Sequence, residues 1–107
     1  MELFRNCKDI IFLDLSNFDT SDVSNMSGMF DGCSKLKEIK GLNMIITSKV
    51  KTMDGMFNKC KELENLDLSH FDTSNVTNMS LMFNYCSKLK EIIGLNKLNT
   101  SKVEAII

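Results

Sequence analysis

The chain has 107 residues, with 13 Lys and Arg against 14 Asp and Glu and a formal net charge of −1. That length suits one domain, and the balance, with a pI near 5.8, excludes the broad basic footprint of a nucleic-acid binder. No apolar run is long enough for a membrane-spanning helix, and no proline or Gly/Ser-rich linker divides the chain.

The opening MELFRNCKDI has no basic segment followed by an apolar one, so this chain itself is expected to carry no signal peptide. It does align with a later stretch, SGMFDGC, and so reads as the tail of a repeat unit. Cysteines follow at 7, 33, 60 and 86, spaced 26, 27 and 26 residues apart, and the Phe residues at 4, 30, 57 and 83 keep the same spacing. LDLSNFDTSDVSNMSGMFDGC (13–33) returns as LDLSHFDTSNVTNMSLMFNYC (66–86) with 15 of 21 positions identical. CSKLKEIKGLNMIITSKV (33–50) returns as CSKLKEIIGLNKLNTSKV (86–103) with 14 of 18. The order is therefore A-B-A-B, and a fixed period of this size is the mark of a solenoid.

Within each unit the apolar spacing changes. LKEI and LENLDL set apolar residues among charged ones, as a half-buried strand does. VSNMSGMF, VKTMDGMF and VTNMSLMF place apolar residues at i, i+3 and i+6 with Phe at i+7, which predicts one face of a helix or of a 3₁₀-like turn. The Thr-Ser pairs before each Val (Thr20-Ser21, Thr47-Ser48, Thr73-Ser74, Thr100-Ser101) read as N-caps. The expected fold class is an α/β repeat: a leucine-rich-repeat-like right-handed solenoid. It has parallel strands forming one continuous sheet on one face and short helical or 3₁₀ segments on the other. One segment, 1–107, comprises a partial coil 1–6, coils 7–32, 33–59 and 60–85, and a partial coil 86–107. Both ends fall inside a unit, so the expectation is an excerpt of a longer array whose uncapped ends associate end to end.

LDLSNFDTSDVSNMSGMFDGCSKLKEI resembles the repeat of BspA-like leucine-rich-repeat surface proteins, in the variant found in bacterial lipoproteins and cell-wall proteins. The likeness covers essentially the whole chain and rests on F-D-T-S-x-V-x-x-M-x-x-M-F-x-x-C. Units B depart from it, reading LNMIITSKV and LNKLNTSKV, with an extra residue and no Phe-Asp. The resemblance implies an extracellular array used in adhesion or protein binding, with no enzyme activity. It names no ligand.

Other motifs carry less. The cysteines lack the local pairing of a zinc site, and side chains stacked at a strand-like spacing of about 5 Å point the same way, so free thiols acting as small hydrophobes are expected. Cys7, Cys33, Cys60 and Cys86, with Phe4, Phe30, Phe57 and Phe83 and with Met26, Met53 and Met79, are the expected core ladder. The M-x-x-M pairs could ligate Cu(I), but their register with Val, Phe and Cys favours core filling. Asp19 and Asp72 are expected to shape turns and not to bind Ca²⁺, since alternate coils lack the carboxylate. His70, the only histidine, is expected to be a solvated loop residue, and the sequons at Asn25, Asn75, Asn78 and Asn99 matter only in a glycosylating pathway. No cofactor or metal is expected.

The expected binding face is the outward side of the strands. Counted from each Cys, position +4 reads Ile11, Lys37, Glu64, Lys90; +5 reads Phe12, Glu38, Asn65, Glu91; +7 reads Asp14, Lys40, Asp67, Ile93. Opposite charges in neighbouring coils favour pairing, which makes the A-B pair the building block and fixes register. Ile11, Phe12 and Ile93 do not fit that purpose and suggest a contact site. The functional expectation is a non-enzymatic protein-interaction or adhesion module at the cell surface, with a protein or glycan partner. The alternatives are a structural spacer without a ligand and a small intracellular scaffold.

Overall fold

The computed structural model describes residues 3–101 and 105–106. It contains strands β1 (Phe12–Asp14), β2 (Glu38–Lys40), β3 (Asn65–Asp67), β4 (Asn78–Met79), β5 (Glu91–Ile93) and β6 (Ala105–Ile106), with 3₁₀ turns at Leu42–Met44 and Leu95–Lys97. All strand pairing is parallel: β1 with β2, β3 with β5, β4 with β6. Partners lie 26 or 27 residues apart, one unit of the sequence period, so successive coils stack directly on one another.

The strand face is not one continuous sheet. In A units the chain stays extended past the strand, and Leu15 N and Leu68 N donate to Lys40 O and Ile93 O of the next coil, each at 2.8 Å. In B units it turns at once. Gly41 (φ 81°) and Gly94 (φ 83°) open the 3₁₀ turns that take up the extra residue. No ladder pairs β2 with β3 among the described residues. A seam lined by Ile39, Gly41, Leu42, Asn43, Asn65, Leu66 and Asp67 separates them, with a cavity of about 110 Å³. Both glycines press on the coil before: a Cβ at Gly41 would lie 2.6 Å from Ser16 N, and one at Gly94 2.5 Å from Ser69 Cα.

The continuous ladder lies on the other side, where helical pieces were expected. Bridges run Asn25–Thr52–Asn78 and on through β4 to β6. Residues 26, 28, 30 and 32 donate N–H to carbonyls of the next coil, while residues 29, 31 and 33 donate three residues back within their own coil. The alternation repeats at 53, 55, 57 and 59. It satisfies the backbone without helix, as burial demands. Two left-handed residues per coil stop a helix from forming: Gly28 and Gly32, Gly55 and Lys59, Leu81 and Tyr85, all with φ between 57° and 80°. Apolar spacing of three fits such i→i−3 turns as well as a helix, which is why the sequence pattern pointed to either.

Nor do the threonines cap helices. Thr20, Thr47 and Thr73 are buried. Each hydroxyl donates to one carbonyl of the next coil (Ile46, Asp72, Asn99; 2.9–3.0 Å) and accepts the N–H of that same residue (2.7–2.8 Å). A chain of such clasps crosses the seam without interruption.

The core between the two sides is a stack of like on like. Phe4, Phe30, Phe57 and Phe83 stack nearly parallel with centroids 5.4–5.9 Å apart. Cys33, Cys60 and Cys86 donate S–H to the carbonyls of Phe4, Phe30 and Phe57 at 3.0–3.1 Å, and the four thiols are free. Met26, Met29, Met53, Met56, Met79 and Met82 are all buried against this ladder, as flexible gap fillers.

Candidate interaction face

Period-2 alternation decides what the strand face presents. Leu13, Ile39, Leu66 and Ile92 turn toward the core, while Phe12, Asp14, Glu38, Lys40, Asn65, Asp67, Glu91 and Ile93 are exposed. The register sets Phe12 beside Glu38, Asp14 beside Lys40, Asn65 beside Glu91 and Asp67 beside Ile93. Just upstream, Ile11 O accepts Lys37 N and Glu64 O accepts Lys90 N, each at 2.8 Å, which lines up Ile11 with Lys37 and Glu64 with Lys90. All twelve face residues chosen from sequence are exposed or partly so, and within each A-B pair they are neighbours. Across the seam, no strand pairing aligns β2 with β3.

Charge is spent between coils. Lys90 meets Glu64 at 3.0 Å, Lys88 meets Glu62 at 2.7 Å, and Lys35 reaches Asp9 at 3.8 Å. Hydrogen bonding and charge from Lys90 lower the Glu64 pKa, with Lys88 and Lys37 adding to the effect, while Glu62 raises that of Lys88. The Ser16 hydroxyl and N–H, then Lys40, hold Asp14 below the usual carboxylate range. Elsewhere Lys49 pairs with Asp22 and Arg5 with Asp31, again one coil apart. Among the described residues Lys37 and Lys40 join no ion pair.

Sequence reasoning missed the column two residues after each Cys: Asp9, Lys35, Glu62, Lys88. It alternates in sign through all four coils and was visible in the same count. Three apolar side chains share this side: Ile11, Phe12 and Ile93, about half exposed at 56%, 51% and 47%.

The remaining candidates are absorbed by turns. Asp19 and Asp72 each accept the N–H and hydroxyl of the Ser two residues on, and Asp14 and Asp67 do the same. Such Asx turns mimic a backbone turn. The sequon residues Asn25, Asn78 and Asn99 use their side-chain oxygens in this way, and Asn75 Nδ2 donates to Ser48 O. His70 is exposed, and its Nδ1 lies 3.3 Å from Ser69 Oγ. On the ladder side, Arg5, Asp31, Asp54 and Asn58 line a concavity of about 210 Å³. Hydrogen bonds from Ser27 and Thr52, with Arg5 nearby, lower the Asp54 pKa, and Asn58 Oδ1 is buried without a hydrogen-bond partner among the described residues. No group of three His, Cys, Asp or Glu among the described residues is placed to hold a metal ion, and no described helix is long and apolar enough to cross a membrane.

No curated protein and no solved structure matches the chain. One family model does, over residues 1–106, and with the repeat running through all of that span the chain belongs to the family described as Mycoplasma protein of unknown function, DUF285.

Proposed function

We propose that the chain is a non-enzymatic interaction module of a cell-surface repeat protein related to the BspA-like arrays, folded as a right-handed leucine-rich-repeat-like solenoid. The strand face is its working surface, and it offers a protein or glycan partner a fixed row of side chains on short, stacked strands. The observation that carries this reading is the exposure of Ile11, Phe12 and Ile93 beside charged columns on one face. Core packing and turn bonding account for the other motifs, but they leave these three side chains in water, Ile11 and Phe12 together on the first coil and Ile93 on the fourth, and adjacent exposed apolar side chains such as Ile11 and Phe12 are candidates for a contact site. The ladder and clasps behind hold the face in place, so little ordering entropy opposes binding.

A second reading, a ligand-free spacer, is favoured by the ion pairs Lys88–Glu62 and Lys90–Glu64, which use face charges to hold the stack. The two readings separate by mutation. The chain is screened against protein and glycan arrays, and the best partner is re-measured with Lys37→Glu/Lys90→Glu and with Phe12→Ala. Loss of binding with an unchanged circular dichroism spectrum supports the face. Unchanged binding in every variant sinks it. For a spacer these changes leave function intact, while deletion of a 53-residue pair shortens its reach. Protease shaving of intact cells, compared with cytosolic fractions, tests the surface location against the intracellular scaffold.

A further inference from the structure

The coils carry alternating net charge. Residues 7–32 hold five carboxylates against one lysine, a net −4; residues 33–59 hold six lysines against two carboxylates, a net +4. Residues 60–85 hold four carboxylates against one lysine, a net −3; residues 86–107 hold four lysines against two glutamates, a net +2. On the strand face itself, positions +2 to +7 after each Cys hold Asp9 and Asp14, then Lys35, Lys37 and Lys40 with Glu38, then Glu62, Glu64 and Asp67, then Lys88 and Lys90 with Glu91, so the face is banded minus, plus, minus, plus from one end to the other.

Such a pattern inverts about its midpoint, and the midpoint is the seam between β2 and β3. We infer that the strand face binds a second copy of this chain, face to face and with the stacks antiparallel, about a two-fold axis that runs along the strands through the seam. This rests on the reading of the strand face as a binding surface and names its partner. Under that rotation the first coil faces the fourth of the second copy and the second faces the third, so every band meets its opposite. Position along the strand is kept. Lys37 then stands over Glu64, Lys40 over Asp67, Lys35 over Glu62 and Asp9 over Lys88 of the second copy, each twice, as two-fold symmetry requires.

Lys37 and Lys40, which join no ion pair within the chain among the described residues, thereby gain acidic partners. In the outer coils the same rotation sets Ile11 over Lys90, Phe12 over Glu91 and Asp14 over Ile93 of the second copy, so there the contact is apolar against charged and the inner pairs of Lys37 and Lys40 carry the attraction. Parallel stacks would oppose like bands throughout, a costly arrangement, so the charge pattern sets the sense of the pairing.

The patch is small. Six residues at about 3.3 Å each along the strand and four coils at about 4.8 Å each give a square roughly 20 Å on a side. That lies below the area of a standard stable interface, so the dimer is weak, fast and salt-sensitive.

The test is sedimentation equilibrium of the whole chain at about 0.5 mM protein, in about 20 mM and about 500 mM NaCl. The expected species is a dimer at low salt that grows no further and dissociates at high salt. Lys37→Glu/Lys40→Glu and Glu64→Lys/Asp67→Lys each weaken it by about tenfold or more, and an equimolar mixture of the two variants restores a heterodimer. A monomer at low salt, a dimer indifferent to both double variants, or a mixture that fails to pair overturns the proposal. So do species that grow beyond the dimer, which signal end-to-end stacking. A monomeric wild type that still loses array binding on reversal of Lys37 and Lys90 refutes the homotypic partner and leaves the binding face standing. A dimer with no array ligand does the reverse.

Discussion

Replacing Thr47 with Val tests what holds the two A-B pairs together. The strand face offers no ladder across the seam, so that junction depends on the backbone ladder behind it and on the Thr47 clasp. Thr47 is 2% exposed and makes two hydrogen bonds to Asp72, donating to its carbonyl at 3.0 Å and accepting its N–H at 2.8 Å. Val keeps the shape and removes both. Two net hydrogen bonds at about 1 kcal/mol each, with part of the cost of leaving their partners unpaired, give a loss of about 2–4 kcal/mol. Thr47→Ser keeps the hydroxyl and loses one methyl, about 1 kcal/mol. Thr100→Val, at an exposed position, stays within about 0.5 kcal/mol of wild type. Urea titration followed by far-ultraviolet circular dichroism reads all three, with midpoint shifts near 1–2 M expected for Thr47→Val. If Thr47→Val costs no more than Thr47→Ser, the clasp does not hold the seam and the reasoning fails.

Gly41→Ala and Gly94→Ala each cost about 2 kcal/mol or more, because a Cβ meets backbone atoms of the preceding coil at 2.6 and 2.5 Å in a left-handed conformation. Gly55→Ala, with its nearest neighbour at 3.8 Å, costs about 1 kcal/mol; equal melting shifts at all three sites would refute the close approach. Leu81→Gly raises stability by up to about 1 kcal/mol, since the exposed Leu81 holds φ 57° where side chains are strained, and a lower urea midpoint would count against it. Burial pushes the Cys33 thiol up to about 11 from an ordinary value of 9.0 and raises Cys60 and Cys86 as well. The native fold favours the neutral thiol, so this contribution is intact below about pH 9 and fades as pH rises toward 11. Alkylation at pH 8 mapped by mass spectrometry should label the half-buried Cys7 well before Cys33 and Cys60, and equal rates in the native state would refute the buried ladder.

Much of this architecture was legible because stacked coils repeat their core chemistry at a fixed interval. LKEI and LENLDL pointed to the strands, and counting from the cysteines put the outward columns at +4, +5 and +7, where the four face strands run from +5 to +7; the same count picked out the Phe, Cys and Met ladders. What escaped depends on partners 25 to 27 residues away or on backbone sign. A Thr before a Val has the same local sequence whether its hydroxyl caps a helix or clasps the next coil. Lys59 and Tyr85 take the left-handed conformation that Gly32 takes, yet neither residue type signals it. The extra residue of the B units was visible, but its effect was not. Gly41 turns the chain away from the sheet edge, and that is what splits the expected continuous sheet.

The seam also bears on how such a gene can change length. A cut at the seam separates whole A-B pairs, and the two pairs present nearly the same corner residues to one another. Unequal recombination between the two repeated stretches, which recur 53 residues apart, would remove or add one pair and rejoin a B coil to an A coil. The junction so made repeats one that already exists, with a threonine clasp, a continuous ladder and an open front. Copy number can thus drift without a folding penalty at the splice, and the length of the array becomes a trait that selection can tune apart from its stability.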